Sequence, residues 1–343
     1  MARHTLQDLQ ELQALPLSLK IRLTQQRIRE WVDHFGVDGV YVSFSGGKDS
    51  TVLMDICREM YPNIKAMFAD VPTQYPELRE FVKTYDNVDI TRPKISFVDV
   101  CEKYGFPLIS KEVSHRMSDW YSAKDRGGQS YVDRQFDGTY VTKNGKTPMI
   151  KMQKYAFLKE VPFRISHKCC NHLKKNPSKE YQKKTGRVPI TAQMASESLL
   201  RTKSWLEHSC NAFDSKMQIS NPMSFWTEQD VLLYIKSRNL PICSVYGEVV
   251  TDDEEMGQID FMQYTGLELF DRGNQPLHCT GCQRTGCVCC GFGAHTPGDT
   301  RFLDLKETHP QMYKLLDIAK NSGYTMRQAI DWVAEHGDII IKY

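Results

Sequence analysis

Ser45-Gly46-Gly47-Lys48-Asp49-Ser50 constrains this chain more than any other stretch. It follows Val40-Tyr41-Val42-Ser43-Phe44, an apolar run that reads as a buried strand. It precedes Thr51-Val52-Leu53-Met54-Asp55-Ile56-Cys57, which reads as the start of a helix. A glycine-rich turn between strand and helix aims backbone N–H groups at one point, and the helix dipole adds partial positive charge there. Two glycines let the backbone approach a ligand closely, and Ser45 and Ser50 add hydroxyl donors. The turn therefore suits a phosphate. Asp49 would repel that phosphate unless a cation intervenes, so the sequence also points to Mg²⁺. The six residues are expected to lie on an exposed turn.

The rest of the chain alternates. Strand candidates lie at 39–44, 64–69, 88–90, 107–109 and 188–191, with helical stretches at 50–60, 76–85 and 96–104. Such alternation predicts an α/β fold built on a doubly wound, mostly parallel sheet. Ligands of such sheets bind beyond the carboxyl ends of the strands, where the glycine-rich turn is placed. Ahead of the first strand, Leu6, Leu9, Leu12, Leu19, Ile21, Ile28 and Trp31 recur at helical spacing, predicting one or two amphipathic helices. Residues 114–160 carry glycines, mixed charge and little periodicity and read as a loop insertion. Thr227 reads as a helix cap with Asp230 in the first turn. Asp252-Asp253-Glu254-Glu255 reads as an acidic surface loop, and 310–335 as helical. The division expected is an N-terminal helical segment (1–37), a nucleotide-binding α/β domain (38–240) and a Cys-rich, partly helical C-terminal region (241–343).

Eleven cysteines are many for a chain whose N-terminus, Met1-Ala2-Arg3-His4-Thr5, lacks an apolar signal core. The expectation is a cytoplasmic protein whose cysteines serve metal or redox chemistry rather than disulfides. No apolar run approaches the ~20 residues of a membrane span. Cys169 and Cys170 are adjacent, so they can offer two thiolates to one centre. From Arg164 through Arg187 stand eight Lys/Arg, these two included, and one acidic residue, Glu180, which suits thiolates, phosphate or nucleic acid. Five cysteines then fall within Cys279–Cys290. Their C-x2-C-x4-C-x2-C spacing permits a local Zn²⁺ knuckle. Alternatively, one C-x2-C joins Cys169 and Cys170 around an iron–sulfur cluster. Asp70, at the end of the second strand candidate, is placed either to meet the ribose or adenine amine of a nucleotide or to cap its turn.

The S-G-G-x-D-S order resembles the pyrophosphate loop of the PP-loop ATP pyrophosphatases, which cut ATP between its α- and β-phosphates. Taken with the Cys169-Cys170 pair, the later C-x2-C and Asn221-Pro222-Met223-Ser224-Phe225-Trp226-Thr227-Glu228-Gln229-Asp230-Val231, it resembles the phosphoadenylyl-sulfate (PAPS) reductase family over residues 38–293. That resemblance implies a Rossmann-like fold. It implies ATP held by Ser45, Gly46, Gly47, Lys48, Asp49 and Ser50, with Lys48 and Mg²⁺ offsetting charge on the leaving pyrophosphate. It further implies contacts from Asp70, Glu197 and Arg201, and a 4Fe-4S cluster on Cys169, Cys170, Cys287 and Cys290, the last two chosen because Arg284-Thr285-Gly286-Cys287 through Gly293 resembles a signature of bacterial and phage relatives.

Two departures bear on activity. Ala192 and Met194 stand where the family has glycine and arginine, although Glu197, Ser198 and Arg201 are retained. No cysteine follows Cys290, whereas the assimilatory reductases use a nucleophilic thiol near their C-terminus. The expected activity is therefore ATP pyrophosphatase and adenylating chemistry for sulfur transfer or nucleic-acid modification. The expected partners are a nucleotide, tRNA or DNA as acceptor, a sulfur-donor protein, and a second copy in a homo-oligomer. A sulfonucleotide reductase and a non-catalytic zinc and nucleic-acid-binding module are the competing expectations.

Overall fold

The computed structural model describes residues 4–142, 151–215, 217–255 and 276–343. The chain divides into two compact units. The first comprises Met1–Asp70, Tyr75–Thr91 and Ser178–Thr285; the second comprises Val71–Gln74, Arg92–Pro177 and Gly286–Tyr343. In chain order the strands begin with β1 (Val40–Ser43), β2 (Ala66–Ala69), β3 (Val88–Thr91), β4 (Leu108–Ile109), β5 (Val188–Ile190) and β6 (Asn211–Ala212). They continue with β7 (Ile219–Ser220), β8 (Val249–Val250), β9 (His278–Cys279), β10 (Gly291–Phe292), β11 (Lys320–Asn321) and β12 (Tyr324–Thr325).

A six-stranded sheet ordered β3-β2-β1-β5-β7-β6 centres the first unit. Its pairings are parallel except β6 with β7. Val40, Tyr41 and Val42 of β1 are buried, as the middle strand of a sheet covered on both faces requires. The helix Lys48–Met60 buries Val52, Leu53, Met54, Ile56 and Cys57, and the helix Leu17–Phe35 buries Ile28 and Trp31; these residues share one core. From β1 the chain runs to β2 and β3 on one side, then returns to β5 on the other. The switch between β1 and β5 opens a crevice at their carboxyl ends.

Thr227 caps the helix Glu228–Arg238 in a capping box with Asp230. Asp230 also pairs at 2.7 Å with Lys20, which is only 2% exposed, so a buried ammonium is compensated on the spot.

In the second unit β4 pairs in parallel with β10. The sequence places 107–109 in the main sheet; the structure corrects this. Ile109 has φ +65°, which ends the strand, and Ser110 then caps the helix Lys111–Lys124. Gly105 is required just upstream, because a Cβ there would lie 2.2 Å from the Arg164 carbonyl oxygen. The expected loop at 114–160 is also corrected: it holds most of Lys111–Lys124, a second helix Tyr131–Phe136 capped by Ser130 with Asp133, and a 3-10 stretch Met152–Glu160. Its residues 143–150 lie outside the described residues. Asp252–Glu255 forms a helical turn rather than a loop. Among the described residues no helix is long and apolar enough to cross a membrane.

Candidate functional site

The crevice beyond β1, β5 and β7 holds a cavity of about 300 Å³. Ser45, Gly47, Lys48 and Asp49 line it from the turn after β1; Met194, Ser196 and Glu197 from the segment after β5; Thr227 and Glu228 from the segment after β7. Tyr246, Arg284 and Thr285 complete the lining. The switch-point crevice and the glycine-rich turn thus coincide.

The turn is laced by its own hydroxyls. The Ser45 amide donates to Ser50 Oγ at 3.2 Å, Ser50 Oγ donates to the Gly47 carbonyl at 2.9 Å, and the Gly47 amide donates to Ser45 Oγ at 3.3 Å. Gly46 sits at φ +73°, and a Cβ on it would lie 3.0 Å from Val82 Cγ2 and 3.2 Å from the Leu78 carbonyl oxygen. Only glycine takes both that backbone and that space without strain. The expectation of an exposed turn is corrected: Ser45 is exposed, but Gly46, Gly47, Lys48 and Ser50 are buried.

Lys48 is 4% exposed. Its Nζ donates to the Gln283 carbonyl at 2.7 Å and pairs with Glu228 Oε1 at 3.0 Å. Its amide donates to the Tyr246 hydroxyl at 3.2 Å, which lies 2.5 Å from Thr285 Oγ1. Asp49 is the unsatisfied member: its Oδ1 is buried and has no hydrogen-bond partner. Burial pushes its carboxyl above the ordinary carboxylate range; Lys48 opposes the shift, Glu228 adds to it, and Arg284 and Arg201 oppose it. A buried carboxylate oxygen without a partner costs free energy, and a cation would relieve it.

Glu197 lines the cavity, accepts from the Met194 amide at 3.0 Å and pairs with Arg201. Asp70 is not among the lining residues. It is 3% exposed and held by Arg79, Nη2 to Oδ1 at 2.7 Å. Glu228, Tyr246 and Gln283 were missed by sequence reasoning. Glu228 stands in the recognised Trp226–Val231 segment and offered a signal; Tyr246 and the carbonyl of Gln283 offered none.

The second unit holds the other predicted group. Cys169 is buried, and Cys170, Cys287 and Cys290 are part-exposed. The Cys169 thiol donates to Cys170, which raises the first and lowers the second to about 6; Lys111, Lys174 and Lys175 reinforce the lowering. Burial pushes Cys290 up to about 12, and Cys287 and Cys170 add to it. Burial opposes the charge of Lys174, but Cys287, with which it hydrogen-bonds, and Cys170 outweigh burial and raise its pKa. The four thiols therefore share one electrostatic neighbourhood. Among the described residues no three His, Cys, Asp or Glu side chains are placed to hold one metal ion.

The family model described as "Phosphoadenosine phosphosulfate reductase domain" matches residues 39–105 and 97–291. An uncharacterised protein of Methanocaldococcus jannaschii is 22% identical over 287 residues, 83% of this chain and 48% of that protein. The chain thus spans about half the length of this curated relative. Among solved structures, a phosphoadenylyl-sulfate reductase from Candida auris in a phosphate complex is similar at TM-score 0.37 and 16% identity, covering 70% of this chain and 90% of its own. The NH3-dependent NAD synthetase of Campylobacter jejuni is similar at TM-score 0.31 and 13% identity, covering 77% and 90%. Superpositions this loose do not bear on substrate.

Proposed function

The chain belongs to the phosphoadenosine phosphosulfate reductase domain family, and on that premise we propose that it binds ATP at the Ser45–Ser50 turn, releases pyrophosphate and adenylates a substrate. The observation that carries this reading is the partnerless, buried Oδ1 of Asp49 beside Lys48. A carboxylate has a use in a phosphate cradle when a divalent cation joins the two. Asp49 would hold Mg²⁺, which supplies positive charge to the leaving pyrophosphate. Lys48 and the amides opening the Lys48–Met60 helix bind the phosphate oxygens, and their fixed dipoles stabilise charge as it develops. Glu197 and Arg201 position the rest of the nucleotide.

The acceptor class proposed is tRNA or DNA, with sulfur delivered from a donor protein to displace AMP. Cys169, Cys170, Cys287 and Cys290 would hold a 4Fe-4S cluster, which supplies electron transfer or a sulfur-binding site. The donor set suits such a cluster: four thiols spread over several irons need not close on one ion as a Zn²⁺ site demands, and Lys174 offsets thiolate charge.

Equilibrium binding of Mg–ATP to wild type and Lys48→Met tests the site. The expected loss is at least ~10-fold, about 1.4 kcal/mol; equal affinities overturn the assignment. With tRNA or DNA as acceptor, the products should be pyrophosphate and adenylated acceptor, and a sulfur donor should then release AMP. Orthophosphate would place the cut at the β–γ bond and refute the reaction class.

A further inference from the structure

Five thiols of the first unit lie outside the four-cysteine group, and three of them, Cys243, Cys279 and Cys282, interact through Cys282. Cys279 and Cys243 are buried, and Cys282 is part-exposed. The Cys282 thiol interacts electrostatically with both of the others. It donates to the Tyr75 hydroxyl at 3.3 Å. Cys279 and Cys282 bracket a tight loop. The amides of Thr280, Gly281 and Cys282 donate to the carbonyls of Glu248, Tyr246 and Val245, each at 2.9 Å. The two segments are pressed together: a Cβ on Gly281 would lie 2.5 Å from the Val245 oxygen, and one on Gly247 2.2 Å from Thr280 Oγ1.

This loop is tied to the phosphate turn at two points. Gln283, next to Cys282, holds Lys48 Nζ with its carbonyl and binds the Cys279 carbonyl with its side-chain amide at 2.5 Å. Tyr246, which receives the Gly281 amide on its carbonyl, receives the Lys48 amide on its hydroxyl.

We propose that Cys279 and Cys282 are a reversible dithiol–disulfide site whose oxidation loosens the anchorage of Lys48. Cys282 is the accessible member and meets the oxidant first, a low-molecular-weight disulfide. Its thiolate forms a mixed disulfide and expels one thiolate. Cys279 then attacks the Cys282 sulfur and expels the second, so two cysteine thiols are oxidised while one external disulfide is reduced to two thiols. Burial holds the Cys279 thiol above its ordinary pKa, and Lys48 opposes that, which suits the second step rather than the first. A disulfide needs the two Cβ atoms about 3.8 Å apart with a fixed dihedral. Oxidation also removes the Cys282 S–H, so its hydrogen bond to the Tyr75 hydroxyl is lost and the side chain is retied to Cys279. Gln283 follows Cys282 in the chain, so its carbonyl moves relative to Lys48.

The chemistry stands on these residues alone; its meaning for catalysis rests on the ATP reading above, as regulation of that site. The test uses the full chain, reduced and then treated with oxidised glutathione, without nucleotide. Peptide mass spectrometry should find a Cys279–Cys282 disulfide in wild type and Cys243→Ser, and none in Cys282→Ser. Hydrogen exchange over 45–60 should be at least ~3-fold faster in the oxidised form, and dithiothreitol should reverse it. The proposal is overturned by failure of the bond to form, by pairing of Cys282 with Cys243, by metal protection of the two thiols from oxidation, or by bond formation with unchanged exchange. Mg–ATP affinity of the reduced protein, measured separately, reports on the ATP reading and on nothing else here.

Discussion

Asp49→Asn should separate stability from ligand binding, moving the two in opposite directions. The replacement keeps the shape and removes the charge. In the nucleotide-free protein the carboxylate carries a buried Oδ1 without a partner, and Glu228 adds repulsion. Leaving a buried polar group unsatisfied costs about 1–3 kcal/mol. A neutral amide recovers part of that, since it forgoes attraction to Lys48; the expected gain is about 1 kcal/mol, or about 2 °C in a chain of this size. The pH dependence has a definite sign. The folded pKa of Asp49 is raised above 3.8. The folded state therefore binds more protons than the unfolded state between the two values, and the stability that Asp49 contributes is lost as pH rises through the folded pKa. The advantage of the variant should vanish below pH 3.8 and grow above it. Mg–ATP acts the other way. At 100 times the wild-type Kd, the ligand stabilises wild type by about 2.7 kcal/mol; a ~10-fold weaker variant gains only about 1.4 kcal/mol. The apo advantage is thereby cancelled. Calorimetric scans with and without Mg–ATP read both terms. A variant less stable than wild type without ligand, yet equally stabilised by Mg–ATP, would refute the reasoning at both steps.

Serine at Cys169, Cys170, Cys287 or Cys290 should abolish iron binding in anaerobically purified protein, while Cys57→Ser and Cys210→Ser should retain it; iron, zinc and sulfide analysis decides, and a bound metal that needs Cys279 and Cys282 but not Cys169 and Cys170 would favour the local Cys₄ knuckle. Labelled PAPS or adenylyl sulfate with excess reduced thioredoxin should release no sulfite, because Ala192 and Met194 stand where the family grips the sulfonucleotide with glycine and arginine; turnover on the order of 1 per second would restore the reductase reading. Glu228→Gln should tighten Mg-free ATP by about fivefold, since it removes a part-exposed negative charge from Lys48, a pair worth about 1 kcal/mol when well solvated. Titration calorimetry in chelator checks the sign, and weaker binding would contradict it.

What the sequence makes legible is what local chemistry dictates. β1, the turn and the helix after it follow from an apolar run, two glycines and a helix start. The parallel sheet follows from alternation, and Thr227 announces its helix through Asp230. Weaker signals are masked by their surroundings. Ser130 and Asp133 form a capping box inside a stretch whose glycines and mixed charge read as loop. β6 and β7 have two residues each, too few for any period to register. Leu108–Ile109 looks like a sheet strand, yet Ile109 ends it in a conformation that its branched side chain disfavours.

The electrostatics of the site are the least legible part, because they are made by residues far apart in sequence. The turn alone suggests exposed residues, a lysine for phosphate and an aspartate that calls for a cation. In the folded protein Lys48 is buried and already engaged, by a carboxylate 180 residues downstream and a carbonyl 235 residues downstream, while Asp49 is the group left wanting. An incoming anion must therefore compete with Glu228 for Lys48, and an incoming cation finds Asp49 unpartnered. A ligand that brings both charges together satisfies both residues at once. That is the physical reason for proposing a metal-bound polyphosphate rather than a bare anion as the ligand: a phosphate alone would gain Lys48 only by displacing Glu228 and would gain nothing from Asp49, whereas its metal complex would recover the cost of burying a carboxylate that the nucleotide-free protein bears.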